Sequence, residues 1–216
     1  MDYVFLGPPG CGKGTQAQLL AMSLKIHHLC AGDLLRLEIT KKTNLGEEIA
    51  QVINQGGMVP DHVISHLMAP HILEPRGRGF IYDGYPRSIR QAEDLDLILR
   101  VVNRSLTAAF WFDIPDDVLI TRVSGRLTCQ DCQHVYHSQF NPPRENGVCD
   151  QCGGKNLLKR PDDDANILKK RLTVFYERTK PIMHYYQSQN KLIVLRADRN
   201  VEEINQDLTN QVNKNF

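Results

Sequence analysis

A chain of 216 residues can bury one hydrophobic core with room for small insertions. Lys and Arg number 26 against 25 acidic residues, a balance that argues against a general binder of nucleic acid or of an anionic membrane surface. No apolar run approaches the roughly 18 residues a membrane-spanning helix needs, so a globular, non-membrane protein is expected.

Residues 1–6 read as a buried strand, and Gly7-Pro8-Pro9-Gly10-Cys11-Gly12-Lys13-Gly14-Thr15 follows at once. Residues 16–22 then read as a helix. Strand, glycine loop and helix form the context of a phosphate-binding loop. Small residues let backbone N–H groups of Gly10, Cys11, Gly12, Gly14 and Thr15 converge on an anion, and the helix N-terminus adds partial positive charge. Lys13 can reach the terminal phosphates of a nucleotide, and the Thr15 hydroxyl can approach Mg2+. The opening residues are already taken by the first strand, which predicts no targeting segment and a cytoplasmic protein.

Ile26–Ala31 is a second short strand, after which Asp33 is expected to cap a helix beginning at Leu34. Thr43 or Asn44 starts another helix, which Gly56-Gly57 ends, and Val59-Pro60-Asp61 opens a third. Residues 30–59 thus form a helical excursion from the sheet. Gly79–Gly84 is an apolar strand ending in the carboxylate of Asp83, with an exit turn at Tyr85-Pro86-Arg87 and a helix from Ser88 to about Val102. Asp83 can hold Mg2+ through water, Gly84 allows close approach of a ligand, Arg87 can grip a phosphate, and Gln91 can both donate to and accept from a base edge. Ala108–Asp113 is a further strand, with a helix from Pro115.

From Gly125 to about Lys159 glycines, prolines and short β-like runs indicate an inserted mini-domain. It carries two C-x-x-C pairs, Cys129/Cys132 and Cys149/Cys152, whose spacing predicts a structural Zn2+ held by four thiolates; Cys11 and Cys30 stand apart. Asp162-Asp163-Asp164 caps a long helix, Pro181 marks a break, Leu192–Leu195 is the last strand and Val201–Val212 the last helix. Strands alternating with helices predict an α/β fold of the P-loop NTPase type, a parallel sheet with helices on both faces. The loops after Leu6, Leu29, Tyr82 and Phe112 should share one edge of it.

These motifs together resemble the adenylate kinase family: the 7–16 loop, Ala31-Gly32-Asp33-Leu34-Leu35-Arg36, Asp83–Arg87, Asn141-Pro142-Pro143 and the stretch from Asp162-Asp163 to Arg171. The likeness covers essentially the whole chain and accounts for the Gly14-Thr15 order after Lys13. It implies a monomer that transfers a phosphoryl group reversibly from MgATP to AMP, giving two ADP. It also implies a core (1–29, 60–121, 161–216), a helical NMP-binding segment (30–59) and a zinc-ribbon-like β lid (122–160). Lys13 would then bind the transferring group, while Arg36 and Arg87 hold the AMP phosphate. Gly84 and Gln91 would address adenine in a pocket lined by Met58 and Val59. Arg122 would pack on the ATP adenine, and Arg126, Arg160 and Arg171 would surround the phosphates on closure. Ala31 departs from the threonine usual in the family and keeps a UMP or CMP kinase open as an alternative. A nucleotide-driven regulator with a nucleic-acid-binding ribbon is disfavoured by the near-neutral charge.

Overall fold

Strand β1 (Asp2–Leu6) is buried along its whole length and divides the core in two. Alternate residues of a strand point to opposite faces, so Tyr3 and Phe5 enter one cluster and Val4 and Leu6 the other. The computed structural model describes residues 1–74 and 78–214. After β1 come α1 (Lys13–Leu24), β2 (His27–Cys30), α2 (Ala31–Thr40), α3 (Asn44–Asn54) and α4 (Asp61–Leu73). Next are β3 (Phe80–Asp83), α5 (Ile89–Val101), β4 (Ala108–Asp113) and α6 (Asp116–Ser124). Three short strands follow, β5 (Arg126–Cys129), β6 (Val135–His137) and β7 (Leu157–Leu158). The chain ends with α7 (Ala165–Val174), α8 (Ile182–Ser188), β8 (Leu192–Arg196) and α9 (Val201–Lys214).

The main sheet has the order β2-β3-β1-β4-β8, and every pairing in it is parallel. The chain runs from β1 to β2 and β3 on one side, then crosses to β4 and β8 on the other. Such a reversal opens a crevice at the C-terminal ends of the strands, where ligands of open α/β sheets bind. Leu35, Ile49, Met68, Leu95 and Tyr186 of α2, α3, α4, α5 and α8 cover the Val4 face. Ala17, Leu20, Leu119 and Leu208 of α1, α6 and α9 cover the Phe5 face. This is the expected parallel sheet with helices on both sides.

The second sheet is antiparallel, in the order β6-β5-β7. Its interior is small: Cys129, Tyr136 and Cys149 are its buried cluster, with Leu127 and Leu157 packed against them.

Two local expectations shift. Ala31 belongs to α2, not to the strand, because the chain passes from β2 directly into the helix, and Asp33 sits in its first turn without capping it. After α7, Phe175–Thr179 form a wider turn closed by Lys180 N–H donating to the Phe175 carbonyl at 2.9 Å, and α8 starts after Pro181. Thr43 and Ser88 do cap α3 and α5, accepting from the N–H of Gly46 and of Gln91.

Candidate active site

The loop between β1 and α1 holds Gly10 and Gly12 at φ 87° and 88°, where a side chain would strain the backbone. Among the described residues no side chain caps α1, so its first N–H groups and its dipole are offered to the crevice. Lys13 Nζ donates to the Pro8 carbonyl at 3.3 Å, which folds the lysine back over the loop. Gly10, Gly12, Lys13, Gly14 and Thr15 all line one large cleft. The Cys11 thiol does not: it is buried in the core beneath the loop, and only its backbone is available to a ligand.

Asp83 ends β3 beside β1 and is buried. Its Oδ2 lies 3.3 Å from His28 Nε2, and a Cβ on Gly14 would stand 3.2 Å from the same oxygen, so the carboxylate abuts the first turn of α1. Burial pushes the carboxyl up, but the His28 hydrogen bond and the charges of Lys13 and Arg87 outweigh it and hold the group below its ordinary value. Asp83 is therefore anionic at neutral pH. Arg87 Nε donates to the Gly84 carbonyl at 2.8 Å. Gln91 is buried with its amide occupied at both ends: Oε1 accepts from Arg87 N–H at 2.7 Å, and Nε2 donates to Asp61 Oδ1 at 2.8 Å. Ala31, Met58 and Val59 form part of the same cleft wall.

Arg36, Arg87, Arg122, Arg126, Arg160 and Arg171 also line the cleft. Arg122 Nη1 donates to the Ala197 carbonyl at 2.6 Å, and Nη2 to the Arg199 carbonyl at 2.7 Å. Arg126 makes a two-pronged ion pair with Asp163, its Nε at 2.8 Å from Oδ2. Arg171 Nη1 lies 2.6 Å from Asp162 Oδ2. Arg160 Nε donates to Thr128 Oγ1 at 2.9 Å. Burial, with the charges of Arg126 and Arg36 beside it, brings Arg160 down to about 10, so it remains protonated at neutral pH. Arg36 pairs with Asp33, and its Nε donates to Gln133 Oε1 at 3.0 Å, which ties α2 to the β5–β6 hairpin. A cationic cluster this dense is short of negative charge and suited to polyanions.

Sequence reasoning assigned the 162–164 run to helix capping. Asp164 alone does that, accepting from the N–H of Asn166 and of Ile167. Asp162 and Asp163 turn to the arginines instead. The signal was present, since one helix start needs one cap and three aspartates stand there. His28 and Gln133 carried no comparable signal.

The four paired cysteines come together at the tip of the small sheet, with all sulfurs within 4.8 Å of one another. Cys129 Sγ is 3.6 Å from Cys152 Sγ, and Cys132 Sγ is 3.5 Å from Cys149 Sγ. Sulfurs at about 2.3 Å from one tetrahedral Zn2+ stand about 3.8 Å apart, so this cage could hold the ion. The Tyr136 hydroxyl lies 3.4 Å from Cys149 Sγ and accepts from the Asp150 N–H at 2.7 Å, an outer support for that ligand.

The cleft has a volume of about 1640 Å³. Single-ligand pockets measure about 300–1,000 Å³, so this one has space for two nucleotides. Comparison with known proteins gives the family. A family model described as adenylate kinase matches residues 5–191. An adenylate kinase of Methanocella arvoryzae is 39% identical over 215 residues, covering 99% of each chain. One from Thermosipho melanesiensis is 37% identical over 99% of this chain and 100% of its own. One from Streptomyces coelicolor is 40% identical over 94% of both. With a family model over residues 5–191 and relatives 37–40% identical over nearly the full length, the chain belongs to the adenylate kinase family.

Proposed function

We propose that the chain catalyses reversible transfer of the terminal phosphoryl group of MgATP to AMP, giving two ADP. The observation that carries this reading is the convergence of the Lys13 loop with Arg36, Arg87, Arg122, Arg126, Arg160 and Arg171 on one cleft of two-nucleotide size. Transfer through a loose transition state demands alignment and positive charge more than a base. Lys13 stabilises charge that shifts with the moving group. Arg36 and Arg87 hold the acceptor phosphate, and Arg126, Arg160 and Arg171 surround the phosphates on closure, Arg126 on the ATP side and Arg160 and Arg171 on the AMP side. Arg122 packs on the donor base. Met58, Val59 and Gly84 line the acceptor base pocket, and Gln91 reads the base by exchanging one of its internal hydrogen bonds. Asp83 (through water) and Thr15 offer oxygens that would suit the hard Mg2+ brought with ATP, which would supply positive charge for the developing phosphate charge.

Residues 30–59 act as a moving acceptor segment and residues 122–160 as a lid, against a core of 1–29, 60–121 and 161–216. Closure excludes water that would otherwise hydrolyse ATP. A structural Zn2+ on Cys129, Cys132, Cys149 and Cys152 supports the lid, whose own apolar interior is small. The protein is taken as a cytoplasmic monomer, and sedimentation of the purified chain tests the monomer. One observation favours a pyrimidine monophosphate as acceptor: Ala31 offers no hydroxyl to the base. A coupled assay with ATP and each of AMP, GMP, UMP and CMP decides between them. AMP is expected to give the highest kcat/KM; a higher value for CMP or UMP overturns the assignment.

A further inference from the structure

Strand β2 lies parallel to β3, with Cys30 opposite Asp83 and His28 opposite Ile81. Side chains two apart on a strand share a face, so His28, Cys30 and Asp83 project together from the face of the sheet on which α1 packs. A ring nitrogen of His28, the Cys30 sulfur and an Asp83 oxygen all lie within 4.8 Å of one another. The His28 Nε2 to Asp83 Oδ2 distance is 3.3 Å. Nitrogen and oxygen ligands at about 2.0–2.2 Å from a tetrahedral ion stand about 3.4 Å apart, so that pair needs almost no movement to share one. The sulfur completes a tripod and leaves a fourth position for water, the pattern of an open zinc site.

A nitrogen, sulfur and oxygen donor set is foreign to Mg2+, which takes oxygen, but fits the borderline and softer divalent ions. We propose that His28, Cys30 and Asp83 form a second metal site, selective for Zn2+-like ions over Mg2+, whose occupation stops phosphoryl transfer. The ion displaces the Cys30 thiol proton to solvent and withdraws Asp83 from MgATP. It also places fixed positive charge beside Lys13. The inhibition rests on the Asp83 role proposed above; the binding does not.

The test uses the full chain, free of nucleotide, dialysed against Zn2+ and, in parallel, Cd2+ with its sulfur charge-transfer absorption. Wild type is expected to bind one ion per chain more than Cys30→Ser under conditions that fill the four-cysteine cage equally in both. His28→Gln should bind that additional ion at least about tenfold more weakly than wild type. Cys30→Ser should keep wild-type turnover in Mg2+ alone and resist the added Zn2+ that inhibits wild type. Equal stoichiometry and affinity in wild type and Cys30→Ser overturn the site. Binding of the additional ion with turnover untouched overturns the inhibition and, with it, the assigned role of Asp83, while leaving the binding site standing.

Discussion

Gln91→Met keeps most of the side-chain volume at a buried position and removes both of its hydrogen bonds, so it isolates their worth from any cavity. In the wild type Oε1 accepts from Arg87 N–H at 2.7 Å and Nε2 donates to Asp61 at 2.8 Å. The Asp61 carboxylate keeps Ser88 Oγ at 2.8 Å and Arg178 at 3.6 Å, so its charge is not orphaned. The Arg87 N–H is. A donor left without a partner in this partly buried position costs at most about 1–3 kcal/mol. In a chain of this length each kcal/mol shifts Tm by about 2–4 °C, so calorimetry should find Tm lower by about 2–12 °C. Base reading adds a second, separable effect. Loss of one neutral hydrogen bond to adenine contributes about 0.5–1.5 kcal/mol, so the ratio of kcat/KM for AMP over CMP should fall about two- to tenfold. An unchanged Tm would refute the structural role of the amide. A lowered Tm with an unchanged ratio would refute the base-reading role and leave Gln91 as a support for Arg87 alone.

Lys13→Ala should lower kcat by at least about 10²–10³-fold while the fold survives, with a modest loss of Tm because the Lys13 charge also helps hold buried Asp83 ionised; retained turnover would remove Lys13 from the chemistry. Acid stability should depend on Asp162. Burial raises its carboxyl, but Arg171, Arg126 and Arg160 outweigh burial and hold it below its usual value. A depressed native value stabilises the fold above the unfolded value of about 3.9 and is lost as pH falls through the native one. Urea midpoints of wild type should therefore fall below about pH 4 more steeply than those of Asp162→Asn, and parallel curves would contradict the coupling. Purified protein should carry one zinc per chain by elemental analysis. Chelation or Cys149→Ser should lower Tm and open residues 125–159 to protease before the core, and a protein that holds no zinc would refute the cage.

Strands were most legible where burial is continuous. Ala108–Asp113 reads off its apolar run to the residue, because a strand covered on both faces needs no alternation. Helix starts were legible where a hydroxyl caps them, at Thr43 and Ser88. Asp33 misled because the same residue type serves caps and first turns alike, and the strand before it runs straight into α2. The wide turn at Phe175–Thr179 had no local signature. The glycine loop was legible as a site because its chemistry lies within nine consecutive positions. Partners far apart in sequence were not: Arg36 meets Gln133 across 97 positions, and His28 meets Asp83 across 55. Spacing reveals neighbours on one element, whereas these pairs exist only once the sheet and the hairpin are assembled.

That division also separates the residues that would hold phosphate from those that balance them. Arg126 and Arg171 are paired with Asp163 and Asp162, both on the short turn before α7. Unpaired, these guanidiniums would repel one another and Arg160 at the root of the small sheet, where burial weakens solvent screening. The two carboxylates cancel part of that charge and attach β5 to the helical core through side chains. They do not fill the cleft, and Arg160 stays displaced to about 10 by burial and its cationic neighbours. In the proposed reaction the incoming phosphates supply the missing negative charge to guanidiniums whose positions the aspartates have already set. Ordering these long side chains beforehand lowers the entropy lost on binding, which is where an enzyme that works by alignment gains most.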